Sequence, residues 1–457
     1  MKNYNRILMA MMLVATLSSC HIYNKYELPE NNEIINSYNE ALNAEIDSTS
    51  LGNLEWHEVF SDPLLQVLIN KALENNKDYK NAKLNVDIAH AQLKGAKLSY
   101  LPSVSLNPNG GASSYAGSQF SWTYTLPLAV SWEIDVFGKT LNNKRYAEAN
   151  LNQIKAYTQA VRSQIIGAVA NTYYSLVMLN EQLNVTQQTA VLWKEQVETM
   201  ELMKEAGRTN EAAVVQSRAN YYNILSTIPS LEASIHEVQN IMSLLLNTYP
   251  QEWQVTNSLE FVAPGMFEEG IPITYLAARP DIRAAEQGLA SAYYATNKAR
   301  SNFYPSLVIS AQGGFTNLLG SIISNPGEWF LQLAGSLSAP LFSRGQNIAT
   351  LEATKAQQKQ ALNAFEYSIL NASVEVSNAL MQYNKNNEKS ILILKQIEQL
   401  NKSVEYTNEL FKLGKATYLE LLTAEQNLLS AQLARLNCWY SKMSAVINLY
   451  QSLGGGR

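Results

Sequence analysis

Between positions 121 and 137 every even-numbered residue is apolar: Trp122, Tyr124, Leu126, Leu128, Val130, Trp132, Ile134 and Val136. The odd positions are mostly Ser, Thr, Ala, Glu and Asp. A strict period of two predicts a strand with one apolar and one polar face. Leu331, Leu333, Leu337 and Leu341 alternate with Gln332, Ala334, Ser336 and Ser338 in the same way; 103–106 and 306–315 alternate less cleanly. Trp122, Tyr124 and Trp132 bracket an apolar band within one long strand, as interfacial aromatics do in membrane strands, which favours a membrane barrel over a soluble sandwich. Single-chain barrels begin at about eight strands, and an open sheet with an apolar face aggregates. Four strands must therefore be pooled with those of other copies. Three copies would supply twelve, although this argument does not itself fix the number three.

A second texture follows each pair of strands. Residues 139–204 and 345–412 run without proline and with only Gly167 inside them. At ~1.5 Å per residue each spans about 100 Å as a helix. Leu362, Phe365, Ile369, Ala372, Val376, Ala379 and Tyr383 are spaced alternately by three and four, as are Ile166, Val169, Tyr173, Leu176 and Leu183 with one position skipped. Leu419, Leu422, Gln426, Leu429, Leu433, Leu436, Tyr440, Met443, Ile447 and Tyr450 continue the pattern in the last helix. A repeat of 3.5 predicts coiled-coil packing. Flanking apolar residues such as Leu421 and Leu428 give that helix neighbours on two sides, as in a closed ring. Breaks at 206–210 and 413–417 reverse each long helix, with Gly207 and Gly414 suited to a left-handed C-cap. Pro229 predicts an interruption and a kink in the first return helix.

The chain also repeats itself. Ala96-Lys97 followed by Leu101-Pro102-Ser103 answers Ala299-Arg300 followed by Tyr304-Pro305-Ser306; Ala206-Gly207-Arg208-Thr209 answers Leu413-Gly414-Lys415-Ala416. Offsets near 205 are too long for a solenoid and indicate duplication of a large unit. The predicted division is a signal peptide (1–19), a lipidated N-terminal segment (20–55), a first repeat (56–250), a linker (251–274), a second repeat (275–453) and a short tail (454–457). Each repeat consists of a helix, two strands (102–137 and 305–342 respectively) and a long helical hairpin. The predicted helices before the strands cover 62–98 and 275–302.

The N-terminus defines the compartment. Lys2 and Arg6 precede an apolar stretch, 7–17, about half the ~20 residues of a spanning helix, and then Leu17-Ser18-Ser19-Cys20. This is the form of a bacterial lipobox, with Cys20 acylated as the new N-terminus. Cys438 then has no partner, which excludes a disulfide framework. Charged residues make up only 16 % of the chain, with a formal net charge of −5 and no basic block; a nucleic-acid partner is not expected.

Several motifs resemble those of the TolC-like outer-membrane factors, in particular the lipoprotein subunits of tripartite pumps. They are Trp56 with Phe60-Ser61-Asp62-Pro63-Leu64, and the run from Ser131-Trp132-Glu133 to Phe137-Gly138-Lys139. Arg279-Pro280-Asp281-Ile282, Phe303-Tyr304-Pro305-Ser306, Pro340-Leu341-Phe342 and Leu453-Gly454-Gly455-Gly456 complete the set. The resemblance covers about 50–456. It implies a mostly α chain with a long coiled-coil tunnel and four strands, in a homotrimer with a twelve-stranded outer-membrane barrel. It further implies a periplasmic adaptor at the helical tips and an inner-membrane pump of the resistance-nodulation-division type. On that reading Gly207, Arg208, Thr209, Gly414, Lys415 and Ala416 are adaptor-contact tips, and Glu420, Thr423, Ala213 and Gln216 line the periplasmic entrance. Only Glu420 among these four is charged, so Thr423 argues against a second acidic ring; Glu420 is equally readable as a solvated helix residue.

No catalytic constellation is present in the sequence. His21, His57, His90 and His236 lack metal-ligand spacing, and there is no P-loop, dinucleotide fingerprint or nucleophile elbow. Glu133 and Asp135 fall on the polar side of a strand. No enzyme activity, cofactor or metal is expected. The leading function is a passive outer-membrane duct for small-molecule efflux. The alternatives are a duct for type I protein secretion, and a structural coiled-coil lipoprotein, which would not need amphipathic strands.

Overall fold

The computed structural model describes residues 23–29, 33–43, 54–256 (except 115 and 118), 259, 273–318 and 328–456. Cys20, the signal segment and most of 251–274 lie outside the described residues. The chain forms two compact units, one from Met1–Asn31, Leu84–Ala156 and Arg283–Tyr367, the other from Asn32–Lys83, Tyr157–Ile282 and Ser368–Arg457.

The elements in order are α1 (Glu33–Asn43), α2 (Pro63–Asn75), α3 (Lys77–Leu98), β1 (Ser103–Leu106), β2 (Asn109–Ser113), β3 (Ser121–Ile134), α4 (Lys139–Glu205) and α5 (Glu211–Leu245). There follow α6 (Pro280–Ser301), β4 (Ser306–Leu318), β5 (Glu328–Ser338), α7 (Gln346–Lys412) and α8 (Tyr418–Ser452). The duplication is plain in the lengths. α3 and α6 each have 22 residues, α4 and α7 each 67, and α5 and α8 each 35. Mostly helical, with its strands falling between helices in chain order, the chain has the fold class the periodicities predict.

The sheet belongs to the first unit and is antiparallel throughout, in the order β1-β3-β4-β5, with β2 also on β3. β1 and β2 are one strand in register, since Leu106 pairs with Leu128 and Asn109 with Thr125. The break falls at Asn107-Pro108, where proline supplies no ladder N–H. Cross-strand partners place Val104 beside Val130, Trp132 beside Ile309, Leu126 beside Phe315, Ala311 beside Leu333 and Phe315 beside Trp329. One face is therefore apolar across all four strands, and its large side chains lie open: Trp329, Leu333 and Leu337 are each at least 70 % exposed. Gly314 allows β4 to approach β3, because a Cβ there would run into the Leu126 carbonyl.

Three local outcomes differ from the sequence expectation. The predicted first helix, 62–98, is two helices, because Asn76 accepts from Asp78 N (2.9 Å) and Tyr79 N (3.2 Å) as a new N-cap. Its amide also donates to the Leu245 carbonyl at 3.0 Å. The second predicted helix, 275–302, begins only at Pro280, after a 3₁₀ segment at Ile273–Ala278. And α5 runs unbroken through Pro229. In the turn before that proline, Ser226 and Thr227 hydroxyls donate to the Asn223 and Ile224 carbonyls, both at 2.7 Å; the carbonyl that loses its helical N–H is that of Leu225.

The second unit packs along the predicted heptads. Ile369, Ala372, Val376 and Ala379 of α7 are buried, as are Ile166, Val169, Tyr173 and Leu176 of α4. The C-terminal glycines close this unit. Ser163 Oγ donates to Gly455 O at 2.6 Å, Arg162 to Gly456 O, and Gln451 Nε2 to Ser163 O at 2.8 Å. A Cβ on Gly455 would meet the Tyr450 ring, and one on Gly167 would meet Gln451. The lone glycine of α4 and Gly456, whose Cβ would press on Ile166 and Ser163, thus serve close approach of the same two segments. Nearby, the buried Arg279 guanidinium bonds Asp281 and Glu375 (each 2.6 Å) and the Ser452 carbonyl (3.0 Å).

Candidate functional site

The predicted tips are built alike. α4 ends in a left-handed Gly207 and α7 in a left-handed Gly414, both at φ +68°. In the first turn Arg208 N donates to Met203 O and Gly207 N to Lys204 O. In the second, Lys415 N donates to Leu410 O and Gly414 N to Phe411 O. This paired pattern is a Schellman cap, and it satisfies the last carbonyls of each helix. The return helices start differently. Asn210 Oδ1 accepts from Ala213 N at 3.0 Å. Thr417 forms a full capping box with Glu420: Oγ1 accepts from Glu420 N (3.3 Å), while the Glu420 carboxylate accepts from Thr417 N (2.6 Å) and from its hydroxyl (2.9 Å).

These bonds hold the Glu420 carboxyl below the usual carboxylate range, so it is ionised and fixed in direction. Thr423 bonds its own helix, donating to Leu419 O at 2.7 Å. Gln216 donates to Asn220 Oδ1 at 3.3 Å. Beneath the turns Met200, Val214, Tyr418 and Leu422 form a small core, joined by Met203, Ala213 and Phe411. This core packs the two hairpins together. Above it lies a crevice of about 570 Å³, lined in part by Arg208, Thr209, Ala213, Gln216, Gly414 and Ala416. Gly207, Lys415, Glu420 and Thr423 are not part of its lining. Lys204 and Glu211 pair across the first turn, and Arg218 bonds Glu201 at 2.5 and 3.0 Å.

One residue was not singled out by the sequence reading. Near the tip the buried positions of α8 are Tyr418, Leu421, Leu422 and Ala424, while Leu419 is 65 % exposed. The seam there passes through 418, 422, 425 and 429, so that 418 and 425 take the places of 419 and 426 in the apolar pattern. Glu425 is thereby half-buried against α4. It accepts hydrogen bonds from Gln196 and Trp193 of α4, and burial pushes its carboxyl up to about 7. Its Oε2 is enclosed without a partner. A charged residue at an a/d spacing of three and four from Leu422 and Leu429 was the available signal. Next to it Ala190, Trp193 and Ile224 form a further buried cluster.

Among the described residues no group of His, Cys, Asp and Glu could hold a metal, and no helix is long and apolar enough to cross a membrane. Glu133 is paired with Lys139 at 2.9 Å, and Asp135 caps α4 through Thr140 N (3.1 Å) and Leu141 N (2.7 Å). Those two carboxylates have structural partners.

The sequence pattern of the family described as "Outer membrane efflux protein" matches residues 68–248 and 272–455. The chain is 27 % identical to the probable outer membrane lipoprotein SilC of Salmonella typhimurium, over 88 % of each protein. It is 26 % identical to the cation efflux system protein CusC of Escherichia coli K12, over 98 % of this chain and 99 % of that one. The solved outer-membrane channel OprN superposes with a TM-score of 0.83 at 25 % identity, covering 95 % of this chain and 99 % of that one.

Proposed function

The chain belongs to the outer membrane efflux protein family, and from that premise we propose that it works as a trimeric outer-membrane duct that a periplasmic adaptor couples to an inner-membrane pump. Efflux through the outer membrane is the family's work, and it is conduction, not catalysis. The observation that carries the trimer is the sheet. Four strands share one exposed apolar face, too few to close a barrel alone and too greasy to stand free in water. Three copies make twelve strands, with the apolar faces turned to lipid and the Ser-, Thr- and Gln-bearing faces toward the lumen.

Cys20 is the proposed acylation site, which fits the likeness to a lipoprotein. The Schellman turns at Gly207-Arg208-Thr209 and Gly414-Lys415-Ala416 are proposed as the adaptor contacts, and Glu420, Thr423, Ala213 and Gln216 as the entrance. Nothing in the sequence binds a nucleotide, so the energy for export comes from the pump. A relative named for cation efflux supports small solutes as cargo, while choice of cargo is assigned to the pump.

Planar-bilayer conductance of the purified protein tests this reading. Glu420→Gln keeps the capping box, because glutamine makes the same bond to Thr417 N, and removes the charge. Reduced cation preference with unchanged thermal stability supports an entrance ring. Conductance without any change of preference leaves the duct and removes the Glu420 role. A monomeric protein that stays dispersed without detergent overturns the duct itself.

A further inference from the structure

The two ends of the sheet differ in charge. The segments at one end, 107–120 and 317–328, contain no basic residue and one acid, Glu328. At the other end, set by the pairs Ile134 with Leu307 and Ser306 with Ser338, the flanking segments carry Lys144 and Arg145, Lys298 and Arg300, and Arg344. The nearby acids are already engaged: Glu133 with Lys139, Glu148 with Lys144, and Asp135 with the α4 N-terminus. Among the described residues none of Arg145, Arg300 and Arg344 has a carboxylate within ion-pair distance.

Each of these arginines lies within three residues, along the chain, of an exposed aromatic side chain. Tyr146 is 39 % exposed, Phe303 43 % and Phe342 86 %. Two of the three also flank the N-terminal segment. Arg145 donates to the Asn24 carbonyl at 3.5 Å and lies over the Tyr294 ring at 5.8 Å. Arg300 is close enough to Tyr23 to act on its phenol electrostatically. Asn24 is four residues from Cys20, so a fully extended chain places it within about 14 Å of the acylated residue. Aromatics mark the interfacial layer of a membrane, and unpaired cations within a Debye length of it attract anionic headgroups.

We propose that Arg145, Arg300 and Arg344 form a seat for the phosphate headgroups of anionic phospholipid in the leaflet that the Cys20 anchor enters. The inference rests on the outer-membrane reading and on acylation of Cys20. It gives the N-terminal segment a second tie to the membrane, electrostatic beside the acyl chains, at the end of the sheet from which the helices leave. The opposite end, with Glu328 and no basic residue in these segments, offers no such seat.

The test uses the full-length protein in mixed micelles, with bound lipid counted by native mass spectrometry. Phosphatidylglycerol is compared with phosphatidylcholine, and lipopolysaccharide is a third probe. Wild type is expected to favour phosphatidylglycerol, by about fivefold for each arginine engaged, and to lose that preference in 0.5 M salt. The triple variant Arg145→Gln, Arg300→Gln, Arg344→Gln is expected to bind both phospholipids equally. Arg344→Gln alone, in an exposed connection, should lose about fivefold and guards against misfolding of the triple variant. Equal retention of both phospholipids by wild type overturns the proposal, as does a preference that survives the triple change or that goes to lipopolysaccharide. The mass of the mature chain reports acylation of Cys20 separately, so failure of the anchor and failure of the seat are distinguishable.

Discussion

Replacing Glu425 with glutamine should remove a pH dependence from the tip and make it firmer in neutral solution. The folded tip lifts this carboxyl from an ordinary value near 4.5 to about 7. Burial is the leading cause, and its donors, Gln196 and Trp193 of α4, are neutral. The one titratable neighbour acting with it is Tyr418 of its own helix, and the α5 side chains bonded to that phenol, Ser217 and Asn220, are uncharged. The folded tip therefore keeps a proton that an opened tip releases between pH ~4.5 and ~7. Local stability falls as pH rises through that window and levels off above it. A shift of this size corresponds to about 3 kcal/mol; because part of the side chain still meets water, about 2 kcal/mol is the expected effect. Glutamine keeps an acceptor for the same two donors and carries no charge. Hydrogen exchange of the tip amides around Trp193 and Gln196, compared between wild type and Glu425→Gln at each pH, cancels the intrinsic exchange rates. Wild type should exchange about 30-fold faster than the variant at pH 8, with the ratio approaching one below pH ~4. A ratio that does not change with pH would refute the burial argument.

Three further outcomes follow from the same structure. Leu333→Arg, on the exposed apolar face of β5, should cost about 2–4 kcal/mol if that face meets lipid and lower the yield of membrane-integrated oligomer; Ala334→Ser, on the other face, should not. Gly455→Ala should lower the thermal midpoint by an overpacking effect of about 1–3 kcal/mol, because the added methyl meets the buried Tyr450 ring. Gly414→Ala places a side chain at φ +68° with open space around it. Its cost is therefore backbone strain alone, about 1 kcal/mol, and Gly414→Asn should cost less in the same thermal assay.

Much of this fold is legible in the sequence because its elements are long and one-faced. Fourteen residues of β3 alternate without a slip, and no bulge shifts the pairing in either long ladder. The helical turns are legible for the same kind of reason: only glycine relaxes at positive φ, so Gly207 and Gly414 mark the reversals directly. What escaped depends on contacts between distant segments. Asn76 ends α2 by taking up the backbone of α3 while reaching the Leu245 carbonyl, a partner 169 residues away. Pro229 does not break α5: the ring removes a single helical hydrogen bond, to the Leu225 carbonyl, and the helix continues on both sides of it. Glu425 was hidden for another reason. Leu419, Leu422, Gln426 and Leu429 make an equally regular apolar stripe, and only packing against α4 decides which stripe faces inward.

The two repeats have diverged where the entrance is proposed, and the difference can be used. At an offset of 207, Glu420 corresponds to Ala213 and Glu425 to Arg218, which is surface-bound to Glu201. The second hairpin thus holds both acidic positions, so a trimer would present three entrance carboxylates in place of six. Ala213 already occupies the third helical position after Asn210, with its N–H bonded to the cap, and it is only partly covered by the tip core. Ala213→Glu should reach back to the Asn210 N–H, as Glu420 reaches Thr417, and leave thermal stability unchanged or slightly raised. It should also double the number of fixed carboxylates at the entrance. Reversal potentials across a salt gradient should then move further toward the cation limit than in wild type, and Glu420→Gln should move them the other way. If both variants fold and neither shifts the reversal potential, these four positions do not face the conducting path. The entrance must then be sought on another face of α5 and α8.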